Sequence, residues 1–510
     1  MLQLKEPVNT GLGEERTSAR SARDRRVGDP SDSRKGQLSS YARWMLTGML
    51  LVGFHLLLFW ISPKFDYTRN ELAKPVPILV VIESLAGLLY LFTSRFTKNS
   101  PDSRFLLAWV VAVGLIMRVS MLTSTPMLED DYYRYLWDGG VLAGGFNPYS
   151  YAPSEVLNHR DTNSTPDRLH ELAGESGAII ERINHPHLGT IYPPIAQAVF
   201  AFSHWLGPWN LTIWRLILLV IDSATLYLLI VTLRTLNLPI LFSLIYWWNP
   251  LVIKEIFNSA HMDVIALPFV LGALLLSVRH HHYRAVSLLA FAVGVKIWPV
   301  VLLPLILRPI WGDRRQFIPA LILFVLLSAA LFYPVYSAGL ENDSGFSSYG
   351  RYWEMNDALY MLFLWLSRGL LNLTGLGAGQ DQLLARVLVG TVLAVWIGHL
   401  VREKANTPIE LYENSLLVVA AVFLLSPTQF PWYYVWILPL LAIRPRASLL
   451  LLTPLLSLYY LRFYFEPRGN VGIFDNGIVW LEFIPVWFLL IREWMVQRNP
   501  SSTSQPEGVD

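Results

Sequence analysis

Apolar residues along the chain come in runs of about 15–22 separated by short polar pieces, from 44–61, 76–94 and 105–122 to 478–491. Runs of this length match spanning helices, because a bilayer core requires roughly 20 apolar residues. The apolar/polar alternation of a membrane barrel is absent, and one soluble core could not bury so many continuous runs. Several runs, such as 285–297 and 433–443, are too short to span, and Pro299, Pro304, Pro439 and Pro485 interrupt others. The pattern predicts an all-α polytopic membrane protein, a bundle of about 11–14 transmembrane helices with some half-helices buried in protein.

The flanks sort the loops. Residues 1–43 hold Arg16, Arg20, Arg23, Arg25 and Arg26 without apolar periodicity; with 498–510 they read as disordered cytoplasmic tails around a membrane domain at 44–497. No secretory signal precedes the run at Trp44, which reads as a start-transfer helix with the N-terminus cytoplasmic. Basic clusters at Arg279/Arg284, Arg308/Arg314/Arg315, Arg402/Lys404, Arg444/Arg446 and Arg492/Arg498 mark cytoplasmic loops. By alternation, 123–190, 337–357, 426–432 and 462–477 face the other side of the plasma membrane. The largest of these, 123–190, carries ten acidic residues against four arginines and is expected to form short helices over a cavity.

Composition narrows the chemistry. Only 15% of residues are charged, against roughly 25% in soluble domains. The net charge of +2 argues against a nucleic-acid partner, and the lack of cysteine excludes disulfides, thiolate metal sites and a catalytic thiol. Four polar constellations stand out. Glu129-Asp130-Asp131 is followed by Arg134, Trp137 and Asp138; adjacent carboxylates at a helix exit titrate unusually, and either Asp130 or Asp131 could serve as a general base. Tyr192-Pro193-Pro194 with Gln197 begins a helix rigidly and turns both polar side chains toward a cavity. Asn249, Lys254, Glu255, Asn258, His261 and Asp263 lie inside an apolar stretch, where ionisable groups mark a polar site or pair with one another; in one helix, Glu255, Asn258 and His261 would share a face. Two candidate ligands two residues apart make a divalent metal there unfavoured, and no cofactor is implied. Lys296, between two short apolar segments, suits an anionic phosphate or snorkels to the surface. These polar groups cluster at one membrane face, which favours surface chemistry over the competing readings, a transporter or lipid flippase of envelope precursors and a non-enzymatic envelope component.

Taken in order, Asp-Asp-x-x-Arg-Tyr-Leu-Trp-Asp-Gly, Gly-x-Asn-Pro-Tyr, Tyr-Pro-Pro-x-x-Gln, Asn-Pro-Leu-Val-x-x-Glu with His-x-Asp, and Lys-x-x-Pro resemble the bacterial branch of glycosyltransferase family 87, polyprenol-phosphate-mannose-dependent mannosyltransferases of the GT-C fold. The resemblance runs through residues 105–311 and more loosely to about 440. It implies a polyprenyl-phosphate-linked sugar donor drawn from the membrane lipids, a lipid or glycan hydroxyl acceptor outside the cytoplasm, and inversion at the sugar carbon. The base would be an acid of the first large outer loop, Asp130 or Asp131, with Asp130 slightly favoured by its distance from the next aromatic. Lys296, His261, Asn258 and Arg134 would bind the donor phosphate, while Tyr192, Gln197, Trp137, Asn249, Glu255 and Asp263 would line the substrate cavity.

Overall fold

A computed structural model of the chain describes residues 30–100, 103–158, 166–339, 345–374, 379–403 and 407–498. Of the tails expected over 1–43 and 498–510, residues 1–29 and 499–510 lie outside the described residues, and from Pro30 the chain is helical. The protein is an all-α polytopic membrane protein. Among the described residues the sole extended pairing is an isolated bridge between Met355 and Thr428.

Among the described residues, nine helices are long and apolar enough to cross a bilayer, or ten if the pair Ile240–Trp247 and Pro250–Asn258, bent by 50°, forms one span. The expected count of 11–14 included apolar runs that fold as shorter helices: Met262–Val278, His282–Val295, Trp298–Ile310 and Ala358–Thr374. The first helix also starts earlier than its apolar run: α1 covers Pro30–Ile61. It is followed by α2 (Val76–Ser94) and α3 (Arg104–Met121). Segment 123–190 then carries the short helices α4 (Asp131–Ala143), α5 (Pro153–Leu157) and α6 (Asp167–Ser176). After it come α7 (Pro194–Leu206) and the long α8 (Leu211–Thr235).

Local sequence explains these boundaries. Pro194 occupies the first turn of α7, where its missing N–H costs nothing. Asn210 caps α8 by accepting from the Thr212 and Ile213 amides. Thr407 and Glu410 form a capping box on Pro408–Leu425.

The helices give the bundle two chemically different ends. At one, Arg279 donates to Thr235, Arg308 to the Glu403 carbonyl, and Arg444 and Arg446 pair with Glu413. At the other, Arg215 in the first turn of α8 donates to the carbonyls of Leu122, Ser124 and Asn258, closing the exit of α3 against the start of α8. Helices α4 and α7 pack closely at that second end. A Cβ on Gly139 would sit 2.5 Å from the Phe200 carbonyl oxygen, so glycine is what allows the approach.

Two expectations change. Residues 253–263 are not one helix: Ile253–Asn258 is π-helical, Ala260 takes φ +64°, and His261 is extended before a 3₁₀ turn at Met262–Ile265. The wide turn and the left-handed residue reverse the chain, and the His261 amide donates to the Glu255 carbonyl at 3.0 Å. Polar groups are also not confined to one face. Arg118 is buried in α3 with its Nε 2.5 Å from Asp222 of α8, Glu482 accepts from Asn356 at 2.9 Å, and His55 and Glu83 are buried within α1 and α2, contacts between distant segments that a sequence pattern does not reveal.

Candidate active site

A cavity of about 710 Å³ opens at the end of the bundle where α3 leaves and α8 begins. The loop that delivers acidic residues to it is strapped from behind. Asn258 accepts from the Met127 amide at 3.0 Å and donates to the Ser124 hydroxyl and the Thr125 carbonyl, both at 2.8 Å. Lys254 donates to the Met127 carbonyl at 3.1 Å. Leu128 then takes φ +71°, and the next three residues, Glu129, Asp130 and Asp131, line the cavity.

The adjacent aspartates differ in surroundings. Asp130 precedes the first residue of α4 and accepts from the Asn184 amide group. Burial, then the charge of Asp131, pushes its carboxyl up to about 7. Asp131 opens α4; its Oδ2 lies 3.4 Å from the Tyr135 hydroxyl and 3.6 Å from His261 Nδ1. Burial pushes the Asp131 carboxyl up, but the hydrogen-bonding contact and charge of His261, with the charge of Lys296, outweigh it and hold Asp131 below the ordinary carboxylate value.

Lys296 lies on the cavity wall, where the chain is extended between the helix His282–Val295 and the 3₁₀ turn Trp298–Leu302. Its Nζ is 2.5 Å from Asp263 and 4.1 Å from the centre of the Tyr433 ring. Asp263 also accepts from the Trp436 indole at 2.6 Å. Arg134 lines the cavity too, donating to Asp138 at 2.8 Å and to the Leu188 carbonyl at 3.0 Å, which leaves its Nη2 without a partner.

Of the residues expected from sequence, Asp130, Asp131, Arg134, Tyr192 and Lys296 come together on the cavity. The remainder stand behind it. His261 and Asp263 support Asp131 and Lys296, and Glu255 lies 3.6 Å behind His261. Asn258 has both amide protons engaged by the strap, so it has none for a phosphate. Gln197 bonds Asp138, Thr190 and the Tyr192 carbonyl. Trp137 stacks on Trp209 at 6.3 Å, and Asn249 caps the helix at Pro250 and bonds Thr453. Each of these four is a positioning contact in the fold.

Sequence reasoning missed the aromatic part of the lining. Trp432 stacks on His261 at 3.9 Å with 13° between planes, Phe430 stacks on Trp432 at 4.3 Å, and Tyr433 stacks on Trp436 at 4.4 Å. Arg386 and Arg462 complete the lining. The signal was present in the aromatic density of Phe430-Pro431-Trp432-Tyr433-Tyr434-Val435-Trp436, which read only as a loop joined to a short apolar run. Among the described residues, no three His, Asp or Glu side chains converge as a metal site.

Comparisons with family models, with curated proteins and with solved structures return no match. The functional reading therefore stands on the cavity. It brings an oriented carboxylate, Asp131, together with Lys296 and a set of aromatic faces at the end of a membrane bundle.

Proposed function

We propose that this protein is a GT-C-like membrane transferase that moves a hexose, most simply mannose, from a polyprenyl-phosphate donor to a hydroxyl acceptor. The observation that carries the proposal is a single cavity at one bundle end that holds both Asp131 and Lys296. A polyprenyl tail has to stay in lipid while its phosphate and sugar enter such a cavity. The cationic end of the bundle faces the cytoplasm by the positive-inside rule, so the cavity opens outside the plasma membrane.

In this reading Lys296 and Arg134, both on the cavity lining, take the donor phosphate and stabilise it as leaving group. Asp131 is the base. Its support is position: it shares the cavity with Lys296 and is oriented by Tyr135 and His261, whereas Asp130 is held by Asn184. The acceptor oxygen bonds to the sugar carbon as Asp131 removes its proton. The carbon–oxygen bond to phosphate breaks, and its electron pair leaves on the phosphate oxygen. Attack opposite the phosphate inverts the centre, so one base suffices. Sugar transfer from polyprenyl-phosphate mannose by purified protein, absent from a Lys296→Met control, tests the proposal; wild-type protein that binds donor and transfers nothing would overturn it.

A further inference from the structure

Glu255 has ionic neighbours but no hydrogen bond. It is fully buried, and neither carboxylate oxygen makes a hydrogen bond. Buried polar groups in folded proteins are bonded, since an unpartnered one costs a few kcal/mol or more, so such a group calls for another explanation. Its closest ionisable neighbours are Lys254, with Nζ 3.7 Å from Oε1, and His261, with Nε2 3.6 Å from Oε2. The other ring nitrogen of His261 lies 3.6 Å from Asp131. The imidazole thus stands between two carboxylates, one on the cavity and one behind it. Trp432 on its face and the Tyr135 hydroxyl 3.5 Å from Nδ1 fix its orientation.

The surroundings have capacity for a proton. Lys254 is engaged by the Met127 carbonyl and the Ser259 hydroxyl and lies 4.0 Å from the centre of the Tyr460 ring. Its charge acts on three carboxyls, Glu255 on its own turn, Glu83 from α2 and Glu129 from the cavity loop. Asp263 and Tyr459 complete the titratable groups around Glu255. Three carboxyls share the field of one ammonium, which leaves the cluster room to hold a proton on an acid.

We infer that Glu255 is the far end of a proton relay that clears the base. The inference rests on Asp131 as base. Protonated Asp131 gives its proton to Nδ1 of the neutral imidazole of His261, and Nε2 releases one to Glu255; Asp131 returns to the carboxylate, and once product leaves the proton retraces the path and passes from Asp131 to water in the open cavity. The 3.6 Å gaps close with small side-chain rotations, and catalytic hydrogen bonds are often this long before substrate binds. Glu255 touches no substrate. It is a positioning and proton-holding residue acting through His261.

The test is an infrared pH titration of full-length protein in detergent, with transfer from polyprenyl-phosphate mannose to octyl mannoside followed on the same samples. The expected result is a protonated-carboxyl band that Glu255→Gln removes and Asp131→Asn moves. In Glu255→Gln, kcat should fall about tenfold or more with KM unchanged. Glu255→Asp, an acid of shorter reach, should recover part of both signals, and it supplies the comparison if Glu255→Gln does not fold. No band assignable to residue 255, or one indifferent to Asp131→Asn, overturns the relay. Wild-type protein that shows the band but never transfers sugar would instead overturn the transferase reading.

Discussion

Replacing Lys296 by Met separates two roles that the structure gives one side chain. Its ammonium is 2.5 Å from Asp263, a carboxylate with a side chain only 1% exposed whose one other donor is the Trp436 indole. Removing one partner of a buried pair leaves an uncompensated charge and costs about 3–5 kcal/mol. The contacts to Tyr433 at 4.1 Å and Trp436 at 5.0 Å add about 0.5–2 kcal/mol of cation–π attraction that Met cannot replace. A charge-assisted hydrogen bond to the donor phosphate is worth about 1.5–3 kcal/mol, which corresponds to roughly 10- to 150-fold in Kd. Lys296→Met should therefore both lower thermal stability and weaken donor binding. Lys296→Met combined with Asp263→Asn removes the stranded charge and should restore most of the stability while donor affinity stays low. Thermal unfolding and titration with polyprenyl phosphate on the two variants measure both quantities. A double variant that regained wild-type donor affinity would show that Lys296 serves Asp263 alone, and the phosphate site would have to be placed elsewhere.

Three further outcomes are expected. Because the Asp130 carboxyl is raised from 3.8 to about 7, the folded state binds more protons than the unfolded chain between those values. Stability should fall as pH rises through that window and level off above it, and Asp130→Asn should flatten this dependence in thermal unfolding. Gly139→Ala places a methyl 2.5 Å from the Phe200 carbonyl, so α4 and α7 must separate; overpacking of about 1–3 kcal/mol should exceed the usual helical gain and lower both Tm and turnover. A cysteine introduced at the exposed Glu175, in a chain that has none, should react with an impermeant reagent on intact cells; protection until lysis would invert the orientation.

The parts of the site legible in the sequence were those whose physics is local. Asp130, Asp131 and Lys296 stand out because charge beside apolar runs is costly, and the prolines around Lys296 mark the break it occupies. Asn258, Gln197 and Asn249 stand out by the same rule yet serve as straps and caps, since cost alone does not distinguish a cavity wall from a hydrogen bond inside the fold. The shared face expected for Glu255, Asn258 and His261 failed because a π-turn and the left-handed Ala260 replace the 3.6-residue period. His261 meets Glu255 through that reversal instead. Trp432, Arg386 and Arg462 come from distant segments, and only tertiary packing brings them to the cavity.

The most direct measurement is the comparison of Asp131→Asn with Asp130→Asn in sugar transfer. Both substitutions keep side-chain size and remove a charge. With donor Kd held constant, Asp131→Asn should lose about 10²–10⁴-fold in kcat, the usual contribution of a positioned base, while Asp130→Asn stays much closer to wild type. Wild-type turnover in Asp131→Asn would contradict the assignment of the base and remove the opening of α4 from the chemistry.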